Sequence, residues 1–183
     1  MTQSDTQALV QDVALIVGGG PGISSSCAKL FAKNGMRVAI AARNPDKPVL
    51  QTLAKTHGVH PYACDASEPA AVELLFQNVA RDLGAPTLVV HNIDGRAPGI
   101  FRKGITEAEP SMALETLRNA AFSAFLVGQQ AARLMRDNKP SANGVKGTIS
   151  RTQALRSKVS RRAALLQWRV MRSPGSHRAW QES

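Results

Sequence analysis

A short apolar run followed by clustered glycines constrains the fold of this chain more than any other feature. Residues 13–17 are continuously apolar, as expected for a strand covered on both faces of a parallel sheet. The run leads into Gly18-Gly19-Gly20-Pro21-Gly22 and then into a helical pattern that begins at Ile23. Glycines at such a turn let the backbone approach a pyrophosphate, and the helix N-terminus presents free N–H groups to it. The alternative interpretation is a tight strand-to-helix turn without a ligand.

The alternation of strand and helix patterns continues to about residue 149. Further strands are predicted at 36–41, 60–64, 87–91 and 145–149, and helices at 23–34, 48–57, 67–83 and 111–137. Ser67 is predicted to cap the third helix, with Pro69 in its first turn. Repeated βαβ units predict an α/β fold around a parallel sheet.

The spacing of the glycines identifies a resemblance to a known family. Gly18 and Gly22 are the ends of G-x-x-x-G, and they do not fit G-x-G-x-x-G because Ile23 occupies its sixth position. The segment resembles the T-G-x-x-x-G-x-G signature of the short-chain dehydrogenase/reductases, with Val17 replacing the threonine and Ser24 the last glycine. The resemblance implies a Rossmann-like doubly wound parallel sheet of order 3-2-1-4-5, truncated after about five strands.

The resemblance also implies which residues hold a dinucleotide cofactor. The pyrophosphate would lie against Gly18, Gly20, Pro21, Gly22 and Ile23. Arg43 follows the second strand where NAD-preferring relatives carry an acid, so it would face a 2′-phosphate, and NADP(H) is expected in preference to NAD(H). Asp65 would contact the adenine amine, and Asn92 would stabilise the central strand or line the cofactor channel.

Alternatives remain for these positions. Arg43 could be an ordinary surface arginine, and Asp65 a strand-end or capping aspartate. In the long helix the family's active-site asparagine would fall at Ala120. Asn119 would need a shift of one residue, which turns an α-helix by about 100°. We therefore do not include Asn119 in the predicted site.

The catalytic part of the family pattern is missing from the sequence. Family members use a serine, a tyrosine and a lysine, and the last two form Y-x-x-x-K on one helix face. Tyr62 is the single tyrosine, and Ala66 occupies the lysine position after it. Ser150 lies too early in the fifth strand to serve as the family's serine. No catalytic residues are therefore predicted, although the parent activity would be NAD(P)(H)-dependent chemistry on an alcohol/carbonyl pair.

A change in composition divides the chain into two predicted regions. Residues 1–149 would form a partial NAD(P)-binding domain, and the fifth strand would stop at Ile149. Residues 150–183 would form a basic tail, which holds 8 of the 23 Lys and Arg residues and one acid, Glu182. Three interpretations of the tail remain open. It is a frame-shifted product, a disordered solvated segment, or a basic amphipathic helix that binds RNA, DNA or an anionic membrane through a face bearing Leu155, Val159, Leu166 and Val170.

Composition limits the partners. The net charge of +10 belongs mainly to the tail, so a nucleic-acid partner is disfavoured, although a non-enzymatic nucleotide- or nucleic-acid-binding protein is the alternative function. No apolar run reaches the roughly 18 residues that span a bilayer, and no signal peptide is visible, so we expect a cytoplasmic protein without a membrane partner.

The two cysteines, Cys27 and Cys64, do not have the spacing of metal ligands. A small carbonyl or alcohol substrate is expected only for the intact family form, and the family's oligomer interface is expected to be lost.

Overall fold

The computed structural model describes residues 12–102, 104, 106–140, 144–152 and 165–169, with only the backbone of Phe101 and of 165–169. The strands are β1 (Val13–Val17), β2 (Arg37–Ala42), β3 (His60–Ala63), β4 (Leu88–His91), β5 (Thr148–Thr152) and β6 (Leu165–Arg169). The α-helices are α1 (Ile23–Lys33), α2 (Pro48–His57), α3 (Pro69–Asp82), α4 (Pro110–Leu117) and α5 (Ser123–Arg136). A 3-10 turn covers Ile100–Arg102, and a π-helical turn, Arg118–Phe122, joins α4 to α5.

The sheet has the order β3-β2-β1-β4-β5-β6. The first five strands in this order are parallel, and β6 pairs antiparallel with β5. The predicted α/β class, the doubly wound parallel sheet and its 3-2-1-4-5 order are confirmed. No helix in the described ranges is both long and apolar enough to cross a membrane.

Helices cover both faces of the sheet because alternate residues of each buried strand point to opposite sides. Val13, Leu15 and Val17 pack with α3 and α5, whose largest core side chains are Phe76 and Met135. Ala14 and Ile16 pack on the other face with α1 and α2, where Ile40, Leu50 and Leu53 complete the core. The glycine-rich turn therefore directly follows a strand, β1, that is buried on both faces.

The fifth strand corrects one expectation. It does not stop at Ile149 but continues to Thr152, with Ser150 and Thr152 buried. Its backbone pairs with β4 from Thr148 to Arg151, and this pairing does not depend on apolar side chains. The polar sequence after Ile149 therefore did not end the strand.

The predicted tail contains the sixth strand. Leu165–Arg169 pairs with β5, with Thr148 opposite Arg169 and Thr152 opposite Leu165. The amphipathic-helix interpretation is therefore wrong for this segment, because its backbone is extended. Residues 153–164 and 170–183, on which the rest of the tail prediction falls, lie outside the described residues.

Candidate functional site

A cavity of about 450 Å³ opens at the carboxyl ends of the parallel strands. Its lining comes from the turn after β1, the ends of β2 and β3, the segment after β4, the π-helical turn and the end of β5. Five residues of the predicted site line it: Gly18, Gly20, Arg43, Asp65 and Asn92. Pro21, Gly22 and Ile23 lie in the same turn but are not among the lining residues, and their contact with a pyrophosphate stays a prediction.

The beginning of the glycine-rich turn is packed against neighbouring strands. The N–H groups of Gly18 and Gly19 both donate to the carbonyl oxygen of Ala41, at 2.9 and 2.8 Å. Gly18 has a φ of 106°, and a Cβ there would overlap the carbonyl group of Asn92. Only glycine can therefore bring β1 out of the sheet along this path.

The end of the turn is open and suited to an anion. A Cβ added to Gly20 or Gly22 would meet no atom within 4 Å, so a ligand has room to approach the backbone there. The first hydrogen bond of α1 runs from the Ser26 N–H to the Gly22 carbonyl, and no acid lies in its first turn. Within the described ranges, no hydrogen bond engages the N–H of Gly20, Gly22 or Ile23. Unpaired N–H groups at a helix N-terminus are the donors that a pyrophosphate uses, so the residues present fit this group.

A chain of hydrogen bonds links the turn to two strand ends. The Ser24 hydroxyl donates to the Gly18 carbonyl at 2.6 Å, and the Asn92 side-chain amide donates to the Ser24 oxygen at 2.6 Å. The Thr152 hydroxyl in turn donates to Oδ1, the side-chain amide oxygen of Asn92. Asn92 therefore holds α1 and β5 together while it lines the cavity. Sequence reasoning missed Thr152 because it ended the strand at Ile149.

Asp65 is fixed by its own loop. Its Oδ1 accepts hydrogen bonds from the Ser67 N–H at 3.0 Å and from the Ser67 hydroxyl at 2.8 Å. These bonds, with smaller contributions from the charges of Arg43 and Arg118, lower the pKa of Asp65. Asp65 is thus a carboxylate at neutral pH and can accept a bond from an amine. The expectation that Ser67 caps α3 is wrong, because the N-cap is Glu68 and the Ser67 hydroxyl is used by Asp65.

The π-helical turn changes which residue of the long helix reaches the cavity. Asn119 lines the cavity, whereas Ala120 packs against Gly95, where an added Cβ would overlap it. Setting Asn119 aside assumed regular α-helical geometry, and that assumption was wrong. Hydrogen bonds of the i→i+5 type shift the facing of side chains relative to an α-helix. No pattern in the sequence distinguished this turn from the flanking helix.

A buried histidine anchors the π-helical turn. The Ser123 hydroxyl donates to the Asn119 carbonyl at 2.5 Å, so its oxygen accepts from His91 Nε2 at 2.9 Å. Burial, with the nearby charge of Arg151, lowers the pKa of His91 to about 4. His91 is therefore neutral, with its proton on Nε2. Its Nδ1 is buried without a hydrogen-bond partner in the described part of the chain.

The single tyrosine lies away from this cavity. The Tyr62 hydroxyl donates to Asp82 Oδ2 at 3.1 Å on the far end of α3, and Tyr62 is not among the lining residues. Burial and the Asp82 carboxylate raise the pKa of Tyr62 to about 12. A proton donor for a carbonyl substrate needs a lower pKa and a place in the cavity. Tyr62 has neither.

Comparison with known proteins identifies the family. The family model described as enoyl-(acyl carrier protein) reductase matches residues 18–161. An uncharacterised oxidoreductase of Caenorhabditis elegans is 39% identical over 88 residues, which cover 45% of this chain and 28% of that protein. Momilactone A synthase of Oryza sativa subsp. japonica is 27% identical over 158 residues, which cover 86% of this chain and 55% of that protein. The chain thus spans about half or less of the length of these relatives.

Solved structures share the architecture. A short-chain type dehydrogenase/reductase from Mycobacterium marinum superposes with a TM-score of 0.66 at 24% identity, covering 86% of this chain and 63% of that one. An NADPH-dependent 3-quinuclidinone reductase from Rhodotorula rubra gives a TM-score of 0.61 at 26% identity, with coverages of 75% and 50%. With the glycine-rich turn, the strand order and the family match in agreement, this chain belongs to the short-chain dehydrogenase/reductase family.

Proposed function

We propose that this chain binds NADP(H) in the cavity at the carboxyl ends of its strands and does not itself carry out hydride transfer. The family binds an NAD(P) dinucleotide and acts as an oxidoreductase. The observation that carries the proposal is the open turn at Gly20. There, at the N-terminus of α1, backbone N–H groups without a hydrogen-bond partner among the described residues face space that a ligand can occupy. The proposed binding unit is residues 1–149, extended through β5 to Thr152.

The preference for the phosphorylated cofactor rests on the end of β2. Arg43 directly follows this strand, is exposed, and lines the cavity. No acid stands at this strand end to hold the two ribose hydroxyls of NAD. A guanidinium forms paired hydrogen bonds with a phosphate, so Arg43 favours NADP(H). One relative of similar fold, the reductase from Rhodotorula rubra, is NADPH-dependent by its description.

The proposal of binding without turnover rests on the sequence and on Tyr62. No Y-x-x-x-K occurs in the chain, and the hydroxyl of its single tyrosine bonds to Asp82. When bound, NADPH supplies a hydride, but its use on a carbonyl also needs a proton donor at the carbonyl oxygen. The chain's own residues would bind and orient the dinucleotide. Binding through the basic segment gains no support, since Leu165–Arg169 is a strand paired with β5.

Calorimetric titration of the full chain with NADPH and NADH tests the proposal. We expect NADPH to bind about tenfold more tightly, and Arg43→Ala to remove most of that difference, because a charge-assisted hydrogen bond contributes about 1.5–3 kcal/mol. Arg133→Ala is the control, because Arg133 is exposed on α5 and is not a lining residue. Equal affinities of the wild-type chain for the two cofactors would refute the NADP(H) preference. NADPH consumption with a panel of ketones and aldehydes would refute the absence of turnover.

A further inference from the structure

We propose that Lys47 is a second determinant of cofactor specificity, which binds the 2′-phosphate of NADP(H) together with Arg43. This inference rests on the proposed function, because it concerns the same cavity. Nothing in the sequence pattern singled Lys47 out. The structure places it on the cavity lining, four residues after Arg43 and directly before the first residue of α2.

The charged side chains around the cavity are unevenly paired. Five charged side chains line it: Arg43, Lys47, Asp65, Asp94 and Arg96. Asp94 and Arg96 form an ion pair with each other, and Asp65 accepts two hydrogen bonds from Ser67. No ion pair within the described ranges engages Arg43 or Lys47. The lining therefore offers two cations, Arg43 and Lys47, that are in no ion pair among the described residues.

Backbone hydrogen bonds and packing of α2 fix the position of Lys47. Its carbonyl oxygen accepts hydrogen bonds from the N–H groups of Leu50 and Gln51 at 2.9 and 3.1 Å. The Leu50 side chain is fully buried and packs against Gly19 of the glycine-rich turn, where an added Cβ would lie 3.1 Å from its methyl carbons. The start of α2 is thus held against the glycine-rich turn. The backbone of Lys47 is fixed, while its flexible side chain is free to reach a ligand.

The helix that follows Lys47 adds to its positive charge. The first turn of α2 contains no acid, and Pro48 occupies its first position. The positive end of the helix dipole therefore adds to the charge of Lys47. Asp46 precedes Lys47, but Asp46 is not among the lining residues, and its N–H is bonded to the Asn44 side chain at 2.9 Å. Lys47 and the N-terminus of α2 therefore both contribute positive charge to this part of the cavity lining.

The chemistry of the ligand matches two cations better than one. A phosphate monoester carries a charge of about −1.5 to −2 at neutral pH. A guanidinium provides a paired contact and one unit of charge, whereas an ammonium adds a compact point charge. NAD carries a neutral hydroxyl in place of this phosphate. Lys47 therefore contributes to the affinity for NADP(H) and little to that for NAD(H).

The experiment compares affinity ratios among full-length variants. Dissociation constants for NADPH, NADH and 2′,5′-ADP are measured by calorimetry for wild type, Lys47→Ala and Lys47→Arg at low and moderate salt. Lys47→Ala is expected to weaken the binding of NADPH and of 2′,5′-ADP about fivefold, since a solvent-exposed ion pair contributes up to about 1 kcal/mol. The binding of NADH should weaken less than twofold. The Lys47→Arg variant should still bind NADPH more tightly than NADH. The salt dependence of NADPH binding should become weaker in Lys47→Ala.

Lys55→Ala is the matched control, because Lys55 is an exposed lysine on the same helix and does not line the cavity. An equal loss of NADPH affinity in Lys55→Ala would show a general charge effect and overturn the role of Lys47. An unchanged NADPH-to-NADH ratio in Lys47→Ala would also overturn it while leaving Arg43 and the proposed function standing. If the wild-type chain shows no preference for NADPH, the proposed cofactor itself fails. Circular dichroism of each variant verifies that it is folded.

Discussion

Ser24 is buried in the first turn of α1, and its hydroxyl forms two hydrogen bonds. It donates to the Gly18 carbonyl and accepts from the side-chain amide of Asn92. The family signature has a glycine at this position, which can make neither bond. In this chain the hydroxyl is therefore an internal link of the turn, and the N–H groups of Gly20, Gly22 and Ile23 are left for a ligand.

We predict that Ser24→Ala lowers the free energy of unfolding by about 1–3 kcal/mol, because it removes the hydrogen bonds from the Ser24 hydroxyl to the Gly18 carbonyl and from the Asn92 amide to the Ser24 oxygen. Urea unfolding followed by circular dichroism gives the value. Ser26→Ala is the control, because Ser26 is exposed on the same helix and should change stability by less than about 0.5 kcal/mol. Equal effects of the two substitutions would contradict the role assigned to the Ser24 hydroxyl.

Single residues show how much of the site could be predicted. Gly18, Arg43 and Asp65 were predicted as cofactor-binding residues from the resemblance to the family, and in the structure all three line the same cavity. Lys47 and Thr152 gave no such signal, since neither residue type nor spacing marks them. The chain from Thr152 through Asn92 to Ser24 joins three elements that are distant in sequence. Only the assembled fold reveals it.

At the scale of elements, the π-helical turn is tied to the sheet through one buried histidine. His91 ends β4 and bonds to Ser123, which bonds to the carbonyl of Asn119. Local patterns predicted α2 with its observed ends, because a proline starts that helix and a glycine follows it. They did not predict the π-helical turn, because its position depends on this contact with a neighbouring strand.

His91 gives a testable pH dependence of stability. Its pKa lies at about 4 in the folded chain, below the ordinary value of 6.5, so the unfolded chain binds the additional proton between these values. The contribution of His91 to the free energy of unfolding should therefore be fully present above pH 6.5. It should fall by about 3 kcal/mol as the pH is lowered towards 4. Urea unfolding at a series of pH values measures this slope.

Two variants isolate the histidine from the carboxylates that also titrate at low pH. His91→Gln should flatten the slope between pH 6.5 and 4. His57→Gln should leave it unchanged, because His57 is exposed at the end of α2. A wild-type slope in His91→Gln would show that another group carries the dependence.

At the scale of the whole molecule, the antiparallel strand β6 completes one side of the sheet. It pairs with β5 over five residues, from Thr148 to Thr152. Sequence reasoning placed this segment outside the domain because its composition is basic. Composition describes the side chains, whereas a strand edge recruits a partner through its backbone N–H and C=O groups.

We predict that deleting residues 153–183 lowers the free energy of unfolding by about 1–3 kcal/mol, because five cross-strand pairs are lost, and leaves β5 as an exposed edge that promotes association. Thermal unfolding and light scattering measure the two effects. Deleting 170–183 alone retains β6 and is the control. Equal stability and scattering of the full chain and the longer deletion would show that β6 does not support the sheet.

The strand order also sets the sequence in which this protein can assemble on the ribosome. Strands β1, β2 and β3 are neighbours in the sheet and are all synthesised by residue 63, so half of the sheet can pair early. The other side of β1 stays open until Leu88–His91 emerges, and Thr152 is among the last residues of the cavity to be made. Synthesis proceeds from the N-terminus at about 5–20 residues per second. A nascent chain therefore completes the cavity at its strand ends only after most of its core residues have been synthesised.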